Sequence, residues 1–116
     1  MKIKLSPMRL DQKLTLRKEG DTLYVNEEAF DFSTLPEGAT LPKEAINCMW
    51  FASGVERQDG ELRFGIVLPH GASAPLKTLF PELIQIDKDG SVVLPLYDAD
   101  PVDVDGDYLD NIEEAL

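Results

Sequence analysis

At 116 residues the chain is large enough for one domain with its own core, and a lone cysteine, Cys48, excludes an internal disulfide framework. The formal net charge of −11 argues against direct nucleic-acid binding, which needs clustered Lys and Arg to meet phosphates. No apolar run approaches the ~20 residues of a membrane-spanning helix, and residues 1–5 alternate like a strand instead of forming a secretory leader, so the expectation is a cytoplasmic protein without membrane contact.

Ile3 and Leu5 fall on one side of a short first strand that Ser6-Pro7 should end. Residues 13–17 and 22–25 read as a hairpin around Lys18-Glu19-Gly20-Asp21, with Leu16 opposite Leu23 and Leu14 opposite Val25. Asn26-Glu27 is the next tight turn, because Asn tolerates the left-handed backbone that such turns need. It returns the chain through residues 28–32 with Phe30 beside Leu23, giving a three-stranded meander with Leu14, Leu16, Leu23, Val25 and Phe30 inside. Residues 33–42 form a loop by their Pro and Gly content. Residues 43–49 allow one helical turn with Pro42 at its first position, where a fixed φ is tolerated.

The best-defined element is centred on Asp59-Gly60, since both central residues of a type I′ turn need φ > 0. Gln58 then faces Glu61, Arg57 faces Leu62, Glu56 faces Arg63, Val55 faces Phe64, Ser53 faces Ile66 and Phe51 faces Leu68. One face becomes apolar through Phe51, Val55, Phe64, Ile66 and Leu68, while Glu56 and Arg63 form an exposed ion pair on the other. Gly54 opposite Gly65 leaves bare backbone, the mark of a bend, a bulge or a side chain laid across it.

Residues 69–75 are irregular, and residues 78–80 read as a short strand stopped by Pro81. A last hairpin pairs residues 83–86 with 91–94 across Lys88-Asp89-Gly90, so that Ile86 meets Val92, Ile84 meets Leu94 and Gln85 points outward. Seven or eight short strands predict a mainly β fold, an antiparallel β-sandwich or partly open barrel over residues 1–97.

Residues 98–116 are a separate acidic tail with eight acids and no base, which leaves only −3 for residues 1–97. Tyr108, Leu109, Ile112 and Leu116 recur at helical spacing, so the tail reads as a short amphipathic helix that needs a surface to hold it. These four and Trp50 are the candidate partner-binding residues; Trp50 points away from Phe51, into a second apolar layer or onto an exposed patch. A calcium loop over Asp103, Asp105 and Asp107 fails, because aligning Gly106 with the loop glycine puts Pro101 and Ile112 at ligand positions. His70 lacks an acid or nucleophile at a recognisable spacing, and Cys48 beside Met49 and Trp50 reads as a small buried hydrophobe. With no phosphate loop, metal-spaced Cys/His set or nucleophile elbow, no cofactor and no catalytic residue are expected.

The runs LPEGATLP (35–42), WFASGVERQDGELRFGIVLPHGASAP (50–75) and TLFPELI (78–84) resemble a group of small proteins encoded by bacterial prophages near their tail genes. The similarity spans most of residues 1–96 and brings no catalytic residues with it. It implies a phage particle or its assembly, hence a non-enzymatic structural or accessory protein that contacts other proteins, such as another tail component, and is virion-associated after synthesis in the cytoplasm. Two further functions fit parts of the chain: an acidic inhibitor or nucleic-acid mimic of a host enzyme, and a small carbohydrate-binding β domain using Trp50, Tyr24 or Tyr97. Exposed edge strands also allow a homo-oligomer.

Overall fold

The computed structural model describes residues 1–99. The strands are β1 (Lys2–Arg9), β2 (Leu16–Glu19), β3 (Thr22–Val25), β4 (Glu28–Asp31), β5 (Thr40–Leu41), β6 (Val55–Gln58), β7 (Glu61–His70), β8 (Ile84–Gln85) and β9 (Gly90–Ser91), with one helical turn, α1 (Leu76–Leu79), between β7 and β8. They form a five-stranded sheet in the order β5-β6-β7-β1-β8 and a four-stranded sheet in the order β4-β3-β2-β9. The fold is mainly β, as expected, with two sheets that are largely antiparallel.

Asp59 and Gly60 reverse the chain with φ of 55° and 76°, the left-handed pair of a type I′ turn. Gln58, Arg57 and Glu56 pair with Glu61, Leu62 and Arg63 as expected. Upstream the register departs: Phe51 bridges to Ile66, not Leu68. Two extra residues are taken up at Ala52–Gly54, where the Ser53 hydroxyl accepts a hydrogen bond from the Gly65 amide at 2.8 Å in place of a backbone carbonyl. A shift of two preserves side-chain parity, so Phe51, Val55, Phe64, Ile66 and Leu68 are all buried. The glycine strip is used for close approach: a Cβ on Gly54 would lie 2.6 Å from the Leu41 carbonyl oxygen. The expected Glu56–Arg63 ion pair is replaced by one between Arg63 and Asp59, at 3.7 Å.

The first strand does not stop at Ser6-Pro7. It runs on to Arg9, parallel to β7, from Lys2 beside Arg63 to Arg9 beside His70. Pro7 is tolerated because β8 covers only Lys2 and Ile3 on the other flank, leaving no ladder there for a missing N–H to break. The larger sheet is therefore mixed.

In the smaller sheet the first hairpin is tighter than expected. Gly20, with φ of 62°, and Asp21 form a two-residue turn, so Leu16 faces Val25 and Lys18 faces Leu23. Lys18 lies on the core side but carries its amine out to Asp89, at 3.1 Å. Asn26 and Glu27 both have positive φ, and Phe30 faces Leu23, as expected. Between the sheets the rings of Phe30 and Phe32 meet Phe51 nearly edge-on, with centroids 5.3 and 5.9 Å away, a favourable packing geometry for aromatics.

Arg57 ties the layers together. Its guanidinium donates to the carbonyls of Leu35 (2.6 Å) and Phe32 (2.9 Å) and to Asp21 (3.1 Å). Glu37 receives the amides of Asp59 and Gly60, at 2.6 and 2.8 Å, fixing the hairpin tip. Lys43–Ala45 is a single 3₁₀ turn, with Pro42 one position earlier than expected, at the cap.

The last expected hairpin does not form. β8 pairs with β1 and β9 with β2, so the two segments go to different sheets. Asp89 directs the split: its carboxylate accepts from the Gly20 amide and from Lys18, which also holds its pKa below the ordinary carboxylate range. Gln85 still points outward. In place of the strand expected at residues 78–80, Thr78 and Leu79 end α1, their amides donating to the Pro75 carbonyl, and Phe80 caps it.

Candidate interaction surface

Leu76–Leu79 turns once and buries only Thr78, whose hydroxyl donates to the Leu96 carbonyl at 2.5 Å. That bond fastens the helical turn to the extended strap of residues 92–96. In an extended chain successive side chains alternate in direction. Val92 and Leu94 accordingly pack against the core, while Val93 turns outward and is 90% exposed; past Pro95 the alternation ends, and Leu96 is exposed as well. Between helical turn and strap lies a groove of about 730 Å³ whose walls include Phe80, Leu83, Val93 and Leu96. Phe80 is 77% exposed and Leu83 57%. Lys77 and Glu82 are its charged lining residues.

Leu83 is shared with a second, shallower cleft of about 580 Å³ on the outer face of the larger sheet. Its floor is the Gly54–Gly65 strip, and its charged walls are Lys2, Lys4 and Arg63 against Glu56. The Arg63 Nε is buried without a hydrogen-bond partner among the described residues. At the cleft margin Glu61 lies 3.8 Å from Lys2 and 3.6 Å from the Met1 amine. The Gln85 side-chain amide is the main influence holding the Glu61 carboxyl below its usual range, outweighing its partial desolvation. On the opposite flank, Leu94 and Leu96 also line a hollow with Lys13 and Tyr97. The apolar groove thus has basic side chains on both sides.

Of the sequence candidates, Trp50 takes the first of its two expected places, 8% exposed within the common core. A buried indole offers no docking surface, so Trp50 drops out of the partner-binding set. Tyr108, Leu109, Ile112 and Leu116 lie outside the described residues, as do the expected tail helix and the Asp103–Asp107 stretch considered for calcium. His70 is half-buried, with Nδ1 3.0 Å from the Gly71 carbonyl oxygen. Cys48 is half-buried. The rings named for sugar stacking are engaged: Tyr24 lies under the Arg17 guanidinium at 3.8 Å, and the Tyr97 hydroxyl donates to the Leu10 carbonyl with Lys13 over its ring. Among the described residues no group of three His, Cys, Asp or Glu side chains could hold a metal ion, and no helix is long and apolar enough to cross a membrane.

The groove residues were missed in the sequence because the expected hairpin of residues 83–86 and 91–94 draws attention to its inward positions Ile84, Ile86, Val92 and Leu94, whereas Leu83 and Val93 fall on its outer face and Leu96 lies beyond it. The available signal was Val92-Val93-Leu94, an apolar run with no polar alternation, which leaves one side chain without an interior to enter. No family model matches the chain, and neither the curated proteins nor the solved structures provide a match.

Proposed function

We propose that this protein is a non-enzymatic interaction protein, a structural or accessory component of a prophage tail region acting through protein–protein contacts. The observation that carries the reading is the groove: Phe80, Leu83, Val93 and Leu96 line it and are all exposed, and Leu76 and Leu79 are exposed on the adjoining helical turn. Exposed apolar side chains gathered along one groove, rather than scattered singly, mark interaction surfaces. The prophage-like runs at 35–42, 50–75 and 78–84 supply the setting. Concentration of the acids in residues 98–116 weighs against a nucleic-acid mimic, which needs rows of charge over the body, and the engaged Tyr24 and Tyr97 rings weigh against sugar stacking.

The test is affinity purification of the full chain from cells expressing the neighbouring tail genes, beside the Val93→Asp variant. A tail protein should accompany the native chain and fall by roughly tenfold or more with the variant, the size of effect expected at a central contact. Failure of every co-encoded tail protein to associate would end this reading.

A further inference from the structure

Resting on the groove as a protein-binding surface, we propose that its occupant is the chain's own acidic segment, residues 101–116, folded back in cis. An outside partner must then displace it.

The position of the segment is the first argument. Leu96 is part of the groove wall, and the chain beyond it is fastened nearby: the Tyr97 carbonyl accepts from the Gly71 amide at 2.9 Å, and the Ala99 amide donates to the Ser73 carbonyl at 2.8 Å. Asp98 also accepts from the Ser73 amide, at 2.9 Å. Ser73 stands two residues before Pro75, which lines the groove. The segment therefore starts at the groove margin. Residues 100–109, fully extended, reach about 33–36 Å, comparable to the length of β7, the longest strand.

Composition is the second argument. Tyr108, Leu109, Ile112 and Leu116 make one apolar stripe if the segment is helical, the pattern by which short peptides fill apolar grooves. The third is charge. Residues 100–116 hold seven acids and no base, so every Lys and Arg of the chain lies in the domain. Lys77 lines the groove, Lys13 the hollow beside Leu96 and Lys4 the cleft beyond Leu83, where Lys2 and Arg63 already face Glu61 and Asp59; Glu82 and Glu56 are the carboxylates lining the groove and cleft. Tethering supplies an effective concentration in the millimolar range, so even weak docking is populated.

The experiment is methyl NMR on the full chain, native against a Leu109→Asp/Ile112→Asp variant, with Leu16 and Leu68 as internal reporters that the core is intact. We expect the Leu83, Val93 and Leu96 methyl resonances to shift in the variant while Leu16 and Leu68 hold. A synthetic peptide of residues 101–116 added to the variant should return them toward native positions, and added salt should move native resonances toward those of the variant. Unmoved groove methyls overturn the proposal. Groove shifts that grow with protein concentration, together with a doubled solution mass, also overturn it, in favour of the segment of a second copy. The two readings fail separately: a tail protein bound by a chain whose groove ignores the substitutions leaves only the proposed function standing. Groove shifts without any tail-protein association leave only the self-docked segment.

Discussion

Residues 50–70 and 76–96 are both rich in large apolar side chains, yet they end in opposite environments. In the first stretch Trp50, Phe51, Val55, Leu62, Phe64 and Ile66 are all buried. In the second, six large side chains face out. The difference lies in their neighbours. β7 is flanked along its length by β1 and joined by β6, whereas the later segment contributes only two-residue strands to opposite sheets. Hydrophobicity alone does not decide burial; a side chain is buried when another element arrives to cover it. An apolar stretch that nothing in the domain covers is available for contacts beyond it.

The strongest way to break this contrast is Phe51→Ala. Phe51 is fully buried and touches three other phenylalanine rings, so truncation should cost about 3–5 kcal/mol in denaturant unfolding. A loss below about 1 kcal/mol would show that the stretch is not the core. Arg57→Ala should follow, at about 1.5–3 kcal/mol, because it strips charged hydrogen bonds from the Leu35 and Phe32 carbonyls and leaves those acceptors bare.

A smaller, pH-dependent effect is expected at Asp89. Hydrogen bonds from the Gly20 amide and Lys18 lower its folded pKa, so its contribution is present above the ordinary carboxyl value of about 4. It is lost as pH falls through the still lower folded value. Thermal melts should place Asp89→Asn slightly below the native chain at neutral pH, with the gap closing in acid. Smallest of all, Val93→Asp should change stability by no more than about 0.5 kcal/mol while lowering partner capture by roughly tenfold or more. A large destabilisation there would mean that the groove belongs to the core after all.

Turn chemistry made much of the fold legible in advance. Asp59-Gly60 and Asn26-Glu27 each require left-handed backbone, and both reverse the chain where expected. What could not be read was partnership between distant segments. The alternation of Ile3 and Leu5 identifies a strand but not that it lies parallel to residues 63–70. Residues 83–94 looked like a hairpin because the turn residues Asp89 and Gly90 are right for one; the Asp89 carboxylate instead anchors the segment to Gly20 and Lys18. At residues 78–80 an apolar run of three suits strand or helix equally well, and the Thr78 hydroxyl bond to the Leu96 carbonyl is a tertiary feature no local pattern reports. For the same reason, the groove showed in the sequence only as the unalternating run Val92-Val93-Leu94.

The parallel match of β1 with β7 has a consequence for biogenesis. Lys2 cannot find its place beside Arg63, nor Arg9 beside His70, until some sixty further residues have been translated. At about 5–20 residues per second that is a wait of about 3–12 s, during which Ile3 and Leu5 stay uncovered on the nascent polypeptide. Pairings this remote also slow the final collapse, since loop closure must precede the reward of contact.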